Sequence, residues 1–129
     1  MRKVIGIGET VLDIIFKNDQ PMAAVPGGSV FNGIISLGRS GIDASFISET
    51  GNDRVGKKII NFLKDNNVKT DNINVYPESK SPVSLAFLNE RNDAEYVFYI
   101  SFRVQNYMFS FVLCQKIVIF AFSYKMITN

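Results

Sequence analysis

Residues 101–129 constrain the fold most, because they lack the residue types that normally form turns or an acidic surface. This segment contains no Asp, Glu, Gly or Pro. All twelve acidic residues lie between Glu9 and Glu95, and all nine glycines lie at or before Gly56. A globular segment of this length needs turn residues and charged surface. We therefore expect residues 1–100 to form one structural portion, followed by an aberrant apolar tail.

Three interpretations of this tail remain open. A membrane helix from Tyr107 to Tyr124 would carry Lys116 near its middle, where a lysine costs roughly 2.5–3.5 kcal/mol. A pair of buried strands, 107–114 and 117–124, would lack a recognisable turn. A frameshifted or truncated reading frame would explain the abundance of Phe, Ile, Tyr, Asn and Lys, which AT-rich codons yield out of frame. We favour this third interpretation, so membrane attachment is not expected.

Composition excludes several classes of function. The sequence contains no histidine, which rules out Ser-His-Asp and Cys-His mechanisms and histidine metal sites. Its one cysteine, Cys114, cannot form an internal disulfide. A net charge of +2 without a basic run argues against nucleic acid as a partner. Glu9 and Asp13 interrupt the first apolar run, so no signal peptide is expected and the expected location is cytoplasmic.

Hydrophobic periodicity before residue 67 predicts alternating strands and helices. Phe31, Ile34 and Ile35 share one side of a helix that Gly41 would end. A second helix has an apolar stripe and either Asn52 or Asp53 as its N-cap. The predicted strands are 3–8 and 44–48, and the predicted helices are 29–40 and 54–66.

After Asn67 the apolar period changes to two, which is typical of strands. We predict strands over 72–76, 83–89 and 95–100. Alternating strands and helices followed by a β ribbon indicate a parallel α/β sheet carrying an antiparallel appendage.

The first candidate site segment is Gly6-Ile7-Gly8-Glu9 with Asp13. It follows a predicted strand, and ligands of α/β sheets bind at the carboxyl ends of strands. The Asp13 carboxylate is suited to accept hydrogen bonds from hydroxyl groups, although a turn or cap role explains it equally well. A dinucleotide fingerprint is excluded because its third glycine would fall at Val11.

Two further segments contain paired or closely spaced glycines. In Pro26-Gly27-Gly28-Ser29-Val30-Phe31-Asn32, the glycines would let a ligand approach the backbone at the start of a helix. Asn32 adds a donor and an acceptor, and a helix with a flexible start is the alternative. Gly51-Asn52-Asp53-Arg54-Val55-Gly56 is either a ligand loop or an ordinary turn with an N-cap.

Taken in order, these segments resemble a known family. The 26–32 segment, Leu37-Gly38-Arg39-Ser40-Gly41 and the 46–56 segment resemble the first signature of the PfkB (ribokinase-like) carbohydrate kinases. Gly8-Glu9 with Asp13, Ser84-Leu85-Ala86-Phe87-Leu88 and Phe98-Tyr99 are most similar to the bacterial fructokinase branch. The resemblance covers roughly residues 2–100, the N-terminal third of a family member.

The resemblance implies an α/β fold: the N-terminal part of a ribokinase-like doubly wound sheet, with a small antiparallel β lid. It implies ATP-dependent phosphorylation of a sugar hydroxyl, with Asp13, Gly27, Gly28 and Asn32 binding the sugar substrate. The lid would comprise the strands between residues 72 and 100, and the resemblance allows a homodimer through this lid. The alternatives are another acceptor, such as 2-keto-3-deoxygluconate or adenosine, and a non-catalytic sugar-binding or lid-swapping module.

The resemblance also shows what is missing from these 129 residues. Family members carry a Gly-Ala-Gly-Asp loop whose aspartate is the general base and whose amides hold the developing charge. The present sequence has no glycine after Gly56 and no acidic residue after Glu95. We therefore expect no catalytic residue and no binding site for ATP or Mg²⁺ in this chain, and no kinase activity of the chain alone.

Overall fold

The computed structural model describes residues 3–99, which form eight strands and two helices. In chain order the strands are β1 (Lys3–Ile7), β2 (Val11–Lys17), β3 (Gln20–Gly27), β4 (Asp43–Gly51), β5 (Val68–Lys69), β6 (Ile73–Tyr76), β7 (Val83–Leu88) and β8 (Ala94–Tyr99). The helices are α1 (Ser29–Arg39), between β3 and β4, and α2 (Arg54–Asp65), between β4 and β5. The strands divide into two four-stranded sheets, the main sheet and the lid sheet.

The main sheet contains β1, β4, β5 and β6, and all of its pairings are parallel. β4 is its central strand: β1 pairs with its first half, β5 with Ala44 and Ser45, and β6 with Ser48–Gly51. Both helices contribute buried residues to the core that includes Ala44 and Phe46 of β4. Parallel strands joined through covering helices are the arrangement expected of an α/β protein.

The core forms where the apolar stripes of the two helices meet β4. Phe31 of α1 packs edge-to-face on Phe46 at a centroid distance of 5.9 Å and stacks on Phe62 of α2 at 6.0 Å. Ile59 and Leu63, one turn apart on α2, are fully buried. Gly41 follows α1 with φ +78°, as predicted for a residue that ends a helix.

The lid sheet has the strand order β3-β2-β7-β8. β2 pairs antiparallel with β3, and β7 pairs antiparallel with β8, whereas the central β2–β7 pairing is parallel. Two of its three pairings are therefore antiparallel, as the sequence predicts for the lid. The α/β fold class is confirmed, but the lid sheet has four strands, as many as the main sheet.

Sequence analysis missed β2, β3 and the two-residue β5, and it assigned one strand to the wrong sheet. The predicted strand 72–76 was expected in the lid, but β6 pairs parallel with β4 because Ile73 packs against the main core. β3 contains Pro21 and Pro26, which are tolerated because β3 is an edge strand. Asn18 and Asp19, with φ of 50° and 57°, form the two-residue turn that joins β2 to β3.

The expected division at residue 100 and the three interpretations of the tail concern residues that lie outside the described range. Within residues 3–99, no helix has the length and apolar character needed to cross a membrane.

Candidate functional site

A cleft of about 470 Å³ lies where the main sheet and the lid sheet meet. Its walls come from the segment after β1, the start of α1 and the inner face of the lid sheet. The lining residues are Glu9, Thr10, Val11, Asp13, Gly28, Ser29, Asn32, Pro82, Tyr96 and Phe98. Three of the four predicted sugar-binding residues, Asp13, Gly28 and Asn32, therefore line one cleft.

Asp13 lies in the middle of the lid sheet, on β2. Its cross-strand neighbour on β7 is Ser84, which is fully buried and donates its hydroxyl hydrogen to Asp13 Oδ1. This hydrogen bond restricts the carboxylate, so Asp13 reaches the cleft in a defined orientation. Sequence analysis quoted Ser84 only as part of the resemblance and did not identify it as the partner of Asp13.

Gly27 and Gly28 join the end of β3 to the start of α1. Gly27 is buried and pairs with Val11, and a Cβ atom at this position would lie 2.6 Å from Asp13 Oδ2. The fourth predicted residue thus keeps the backbone close to the Asp13 carboxylate. Gly28 has φ +130°, and a Cβ there would lie 2.5 Å from the Glu9 carbonyl oxygen. Both positions accept a side chain only with displacement of their neighbours.

The start of α1 faces the cleft with Gly28, Ser29 and Asn32. Gly28 occupies the N-cap position and makes no side-chain capping bond. The backbone N–H of Asn32 donates to the Gly28 carbonyl oxygen at 3.0 Å, which closes the first helical turn. The N–H groups of that first turn have no intrahelical partner, so the helix start can donate to ligand oxygens while Asp13 accepts from ligand hydroxyls.

Tyr96 and Phe98 form an apolar wall that sequence analysis did not assign to the site. They lie on the same face of β8, with stacked rings at a centroid distance of 5.8 Å. Their side chains are 51% and 58% exposed among the described residues, so this wall is open to a ligand. Period-two alternation predicts that they share a face, but the register that places this face over the cleft comes from the β7–β8 pairing.

The charges in the cleft do not fit a triphosphate. Its two ionisable carboxyl side chains, Glu9 and Asp13, are accompanied by neither lysine nor arginine among the lining residues. Within residues 3–99, no group of three or more His, Cys, Asp or Glu side chains could hold a metal ion. We therefore derive no step through ATP or Mg²⁺ from these residues.

Glu49 is a half-buried carboxylate close to the first cleft segment. Its backbone carbonyl accepts the Thr10 hydroxyl at 3.3 Å, and its Oε1 accepts the Tyr76 hydroxyl at 3.4 Å. Its Oε2 is buried without a hydrogen-bond partner among the described residues. Loss of hydration raises the pKa of Glu49 above its ordinary value of 4.5, and the Tyr76 hydrogen bond only partly opposes this effect.

This raised pKa gives stability a defined pH dependence. Because the folded pKa lies above 4.5, the contribution of Glu49 to stability is complete below about 4.5 and is lost as the pH rises through the folded pKa. Glu49→Gln removes the ionised carboxylate, which burial disfavours at pH 7. We therefore expect the thermal midpoint to rise by roughly 2–4 °C at pH 7. The increase is small because the carboxylate remains partly hydrated. Melting curves by circular dichroism measure this shift.

The matched control is Glu90→Gln, at an exposed position in the turn between β7 and β8. Glu90→Gln should leave the thermal midpoint unchanged at pH 4 and at pH 7. A gain from Glu49→Gln that is larger at pH 4 than at pH 7 would contradict the assigned direction of the pKa shift.

The third sequence segment, 51–56, forms a turn and an N-cap. Asp53 caps α2, with its Oδ1 accepting the Gly56 N–H at 2.8 Å, and Asn52 does not have this role. Burial tends to raise the pKa of Asp53, but hydrogen bonds from Gly56 N–H, Ser81 N–H and the Ser81 hydroxyl outweigh it and hold the pKa below 3.8. Asp53 therefore acts as an ionised hydrogen-bond acceptor.

A family model described as pfkB family carbohydrate kinase matches residues 1–113. The chain belongs to the PfkB family of carbohydrate kinases. The match includes both halves of the cleft and extends past residue 100.

Two curated relatives of the chain are named as sugar or sugar-acid kinases. The chain is 29% identical to the probable chloroplastic fructokinase-6 of Arabidopsis thaliana over 103 residues, which are 74% of this chain and 27% of that protein. It is 32% identical over 77 residues to a 5-dehydro-2-deoxygluconokinase of Bacillus thuringiensis, covering 52% of this chain and 23% of that protein.

A solved fructokinase structure shows the same fold over this part of the chain. The crystal structure of fructokinase from Vibrio cholerae O395 in its apo form superposes with a TM-score of 0.69 at 24% identity, covering 78% of this chain and 34% of that chain. The present chain thus spans about a third or less of the proteins it matches.

Proposed function

We propose that this chain provides the sugar-binding part of a fructokinase-like site, within a protein that uses ATP to phosphorylate a sugar hydroxyl. The observation that carries the proposal is the position of Asp13 in the same cleft as the uncapped start of α1. A sugar hydroxyl both donates and accepts, and the cleft offers a carboxylate acceptor together with backbone and Asn32 donors. The fructokinase relatives support fructose as the first sugar to test.

The charges in the cleft favour a neutral sugar over an acidic one. Glu9 and Asp13 would repel the carboxylate of 2-keto-3-deoxygluconate, and the lining residues from positions 3–99 supply no lysine or arginine to offset this. An acidic acceptor is therefore a poor match for this part of the site, although one relative's name indicates such a substrate for that protein.

A nucleoside acceptor such as adenosine is the second candidate. The stacked Tyr96 and Phe98 rings provide an exposed aromatic surface against which a purine could pack. The ribose hydroxyls would then be held by Asp13. This candidate differs from fructose in requiring the aromatic wall for affinity.

Calorimetry on the 129-residue chain tests these alternatives. We expect saturable binding of fructose and weaker binding of 2-keto-3-deoxygluconate. Asp13→Ala should weaken fructose binding roughly 10- to 100-fold, because hydrogen bonds to a charged group contribute about 1.5–3 kcal/mol. Asp13→Asn, which keeps the volume of the side chain, should fall between wild type and Asp13→Ala.

Two outcomes would contradict the proposal. Fructose affinity that is unchanged in Asp13→Ala would remove Asp13 from the site, and tighter binding of adenosine, lost in Phe98→Ala, would favour the nucleoside acceptor.

A coupled assay with ATP and fructose is expected to show no turnover by these 129 residues, because no candidate general base is present among the cleft residues apart from the sugar-holding Asp13 and the exposed Glu9. If the chain binds fructose without turnover, the proposal holds in the form of a non-catalytic sugar-binding module.

A further inference from the structure

Between residues 3 and 99 the chain crosses between the main sheet and the lid sheet three times, and each of these crossings borders the cleft. The first crossing is residues 8–10, the second begins at Gly28 and continues through α1, and the third is residues 77–82. Each crossing contributes residues to the cleft lining: Glu9 and Thr10 from the first, Gly28 from the second and Pro82 from the third. The placement of the lid residues over the helix start is therefore set by how these crossings are held.

The third crossing is held by a buried hydrogen-bond cluster around Ser81. The Ser81 N–H donates to Asp53 Oδ2 at 2.8 Å, and the Ser81 hydroxyl donates to Asp53 Oδ1 at 2.7 Å. Gly51 N–H donates to Ser81 Oγ at 3.1 Å, and the buried Thr50 hydroxyl lies 2.8 Å from the same atom. Ser81 is only 6% exposed, so these bonds are shielded from water.

This cluster is directly continuous with Asp13. The Pro82 carbonyl, one residue beyond Ser81, accepts the Leu12 N–H at 3.0 Å. Val83 and Ser84 then pair with Leu12 and Asp13, and the Ser84 hydroxyl bonds the Asp13 carboxylate. A shift of Ser81 would therefore move both lid strands that hold Asp13.

From this geometry we infer that Asp53 is a positioning residue for the sugar site. Its carboxylate fixes Ser81, and through Ser81 it sets where β7 and β2 begin and where Asp13 lies relative to Gly28 and Asn32. The inference rests on the proposed function, because it assigns Asp53 an effect on sugar affinity without contact with the sugar. Asp53 is absent from the residues that line the cleft.

The capping role of Asp53 can be separated from this positioning role. Oδ1 also accepts the Gly56 N–H of α2, and serine is as good an N-cap as aspartate. Asp53→Ser thus keeps a cap for α2 but loses the two-oxygen acceptor for Ser81. Ser81→Ala removes the hydroxyl from the cluster and leaves the cap intact. Lys80→Ala is the matched control, since Lys80 is an exposed neighbour in the same crossing.

The experiment measures fructose affinity by calorimetry on the 129-residue chain, at a temperature where melting curves show each variant fully folded. Asp53→Ser and Ser81→Ala are each expected to weaken fructose binding roughly 3- to 10-fold. The double variant should bind fructose scarcely more weakly than Asp53→Ser alone, because Asp53→Ser already removes the side-chain hydrogen bond that Ser81→Ala removes. Lys80→Ala should bind as wild type does.

Hydrogen exchange supplies a readout that a general loss of stability would not reproduce. The Leu12 amide, which bonds Pro82, should exchange faster in Asp53→Ser and Ser81→Ala, while the amides of Ile34 and Ile35 in α1 keep their wild-type rates. Equal acceleration in α1 would indicate a purely structural role and overturn the inference.

The failure of the inference is distinct from failure of the proposed function. If wild type binds fructose and both variants bind it equally well, the positioning role is wrong and the sugar site stands. If wild type does not bind fructose, the proposed function fails. In that case an unchanged Leu12 exchange rate would separately overturn the role of Asp53, whereas selective acceleration would support its control of the lid strands.

Discussion

Gly28→Ala is expected to reduce sugar binding below detection and to destabilise the chain. Gly28 has φ +130° and ψ 149°, a backbone region that is almost confined to glycine and costs other residues about 1–3 kcal/mol. The added Cβ would also lie 2.5 Å from the Glu9 carbonyl oxygen, on a backbone that cannot rotate away as a side chain can. Relief of this contact would displace either the start of α1 or the segment after β1, and both border the cleft.

Urea unfolding and fructose calorimetry measure the two effects of Gly28→Ala. The matched control is Gly33→Ala in the middle of α1, where an added Cβ would meet nothing within 4 Å. Alanine at position 33 should raise the free energy of unfolding by about 0.5–1 kcal/mol, because glycine is a poor helix former, and should leave sugar binding unchanged. A Gly28→Ala variant with wild-type stability and affinity would contradict the described start of α1.

Gly56→Ala should destabilise the chain, although helix propensity alone predicts the opposite. Gly56 lies in the first turn of α2, and alanine is about 1 kcal/mol better than glycine inside a helix. An added Cβ would lie 2.2 Å from the Gly51 carbonyl oxygen and 2.8 Å from Thr50 Oγ1. Overpacking of this kind typically costs about 1–3 kcal/mol. At a contact this short we expect the upper end of that range, and after subtraction of the gain in helix propensity a net loss of about 2 kcal/mol.

Thermal and urea unfolding of Gly56→Ala beside Gly33→Ala test this expectation, since the two substitutions make the same chemical change in two helices. The expected changes have opposite signs, a loss at position 56 and a gain at position 33. A gain at both positions would show that α2 does not begin in close contact with the end of β4. It would also weaken the role inferred for Asp53, which bonds the Gly56 N–H in this contact.

Local sequence patterns were sufficient to predict both helices and the strands β1 and β4 of the main sheet. The stripe of Phe31, Ile34 and Ile35 predicts which side of α1 is buried, and these residues lie in the core. Asp53 was one of two predicted N-caps for α2, and it makes the capping bond. Such signals are readable because caps and apolar periodicity act over a few consecutive residues.

Strand pairing was less accessible. The apolar run of β2 is interrupted by Asp13, and the prolines of β3 argue against a strand unless it lies at an edge. The Asn18-Asp19 turn between them was the available signal for this hairpin. Assignment of β6 to the lid was wrong because period-two alternation predicts a strand without specifying its partner.

For the candidate site, the sequence by itself determined the chemical groups: a carboxylate after the first strand, a glycine pair before a helix, and Asn32 one turn into that helix. Only the tertiary structure decided that Asp13 shares a cleft with Gly28 and Asn32 and that Ser84, 71 residues along the chain, holds its carboxylate. It also decided that Ser81 and Asp53 fix the crossing into the lid. Residue type follows from the sequence, whereas these contacts depend on strand register and chain crossings, which join residues far apart along the chain.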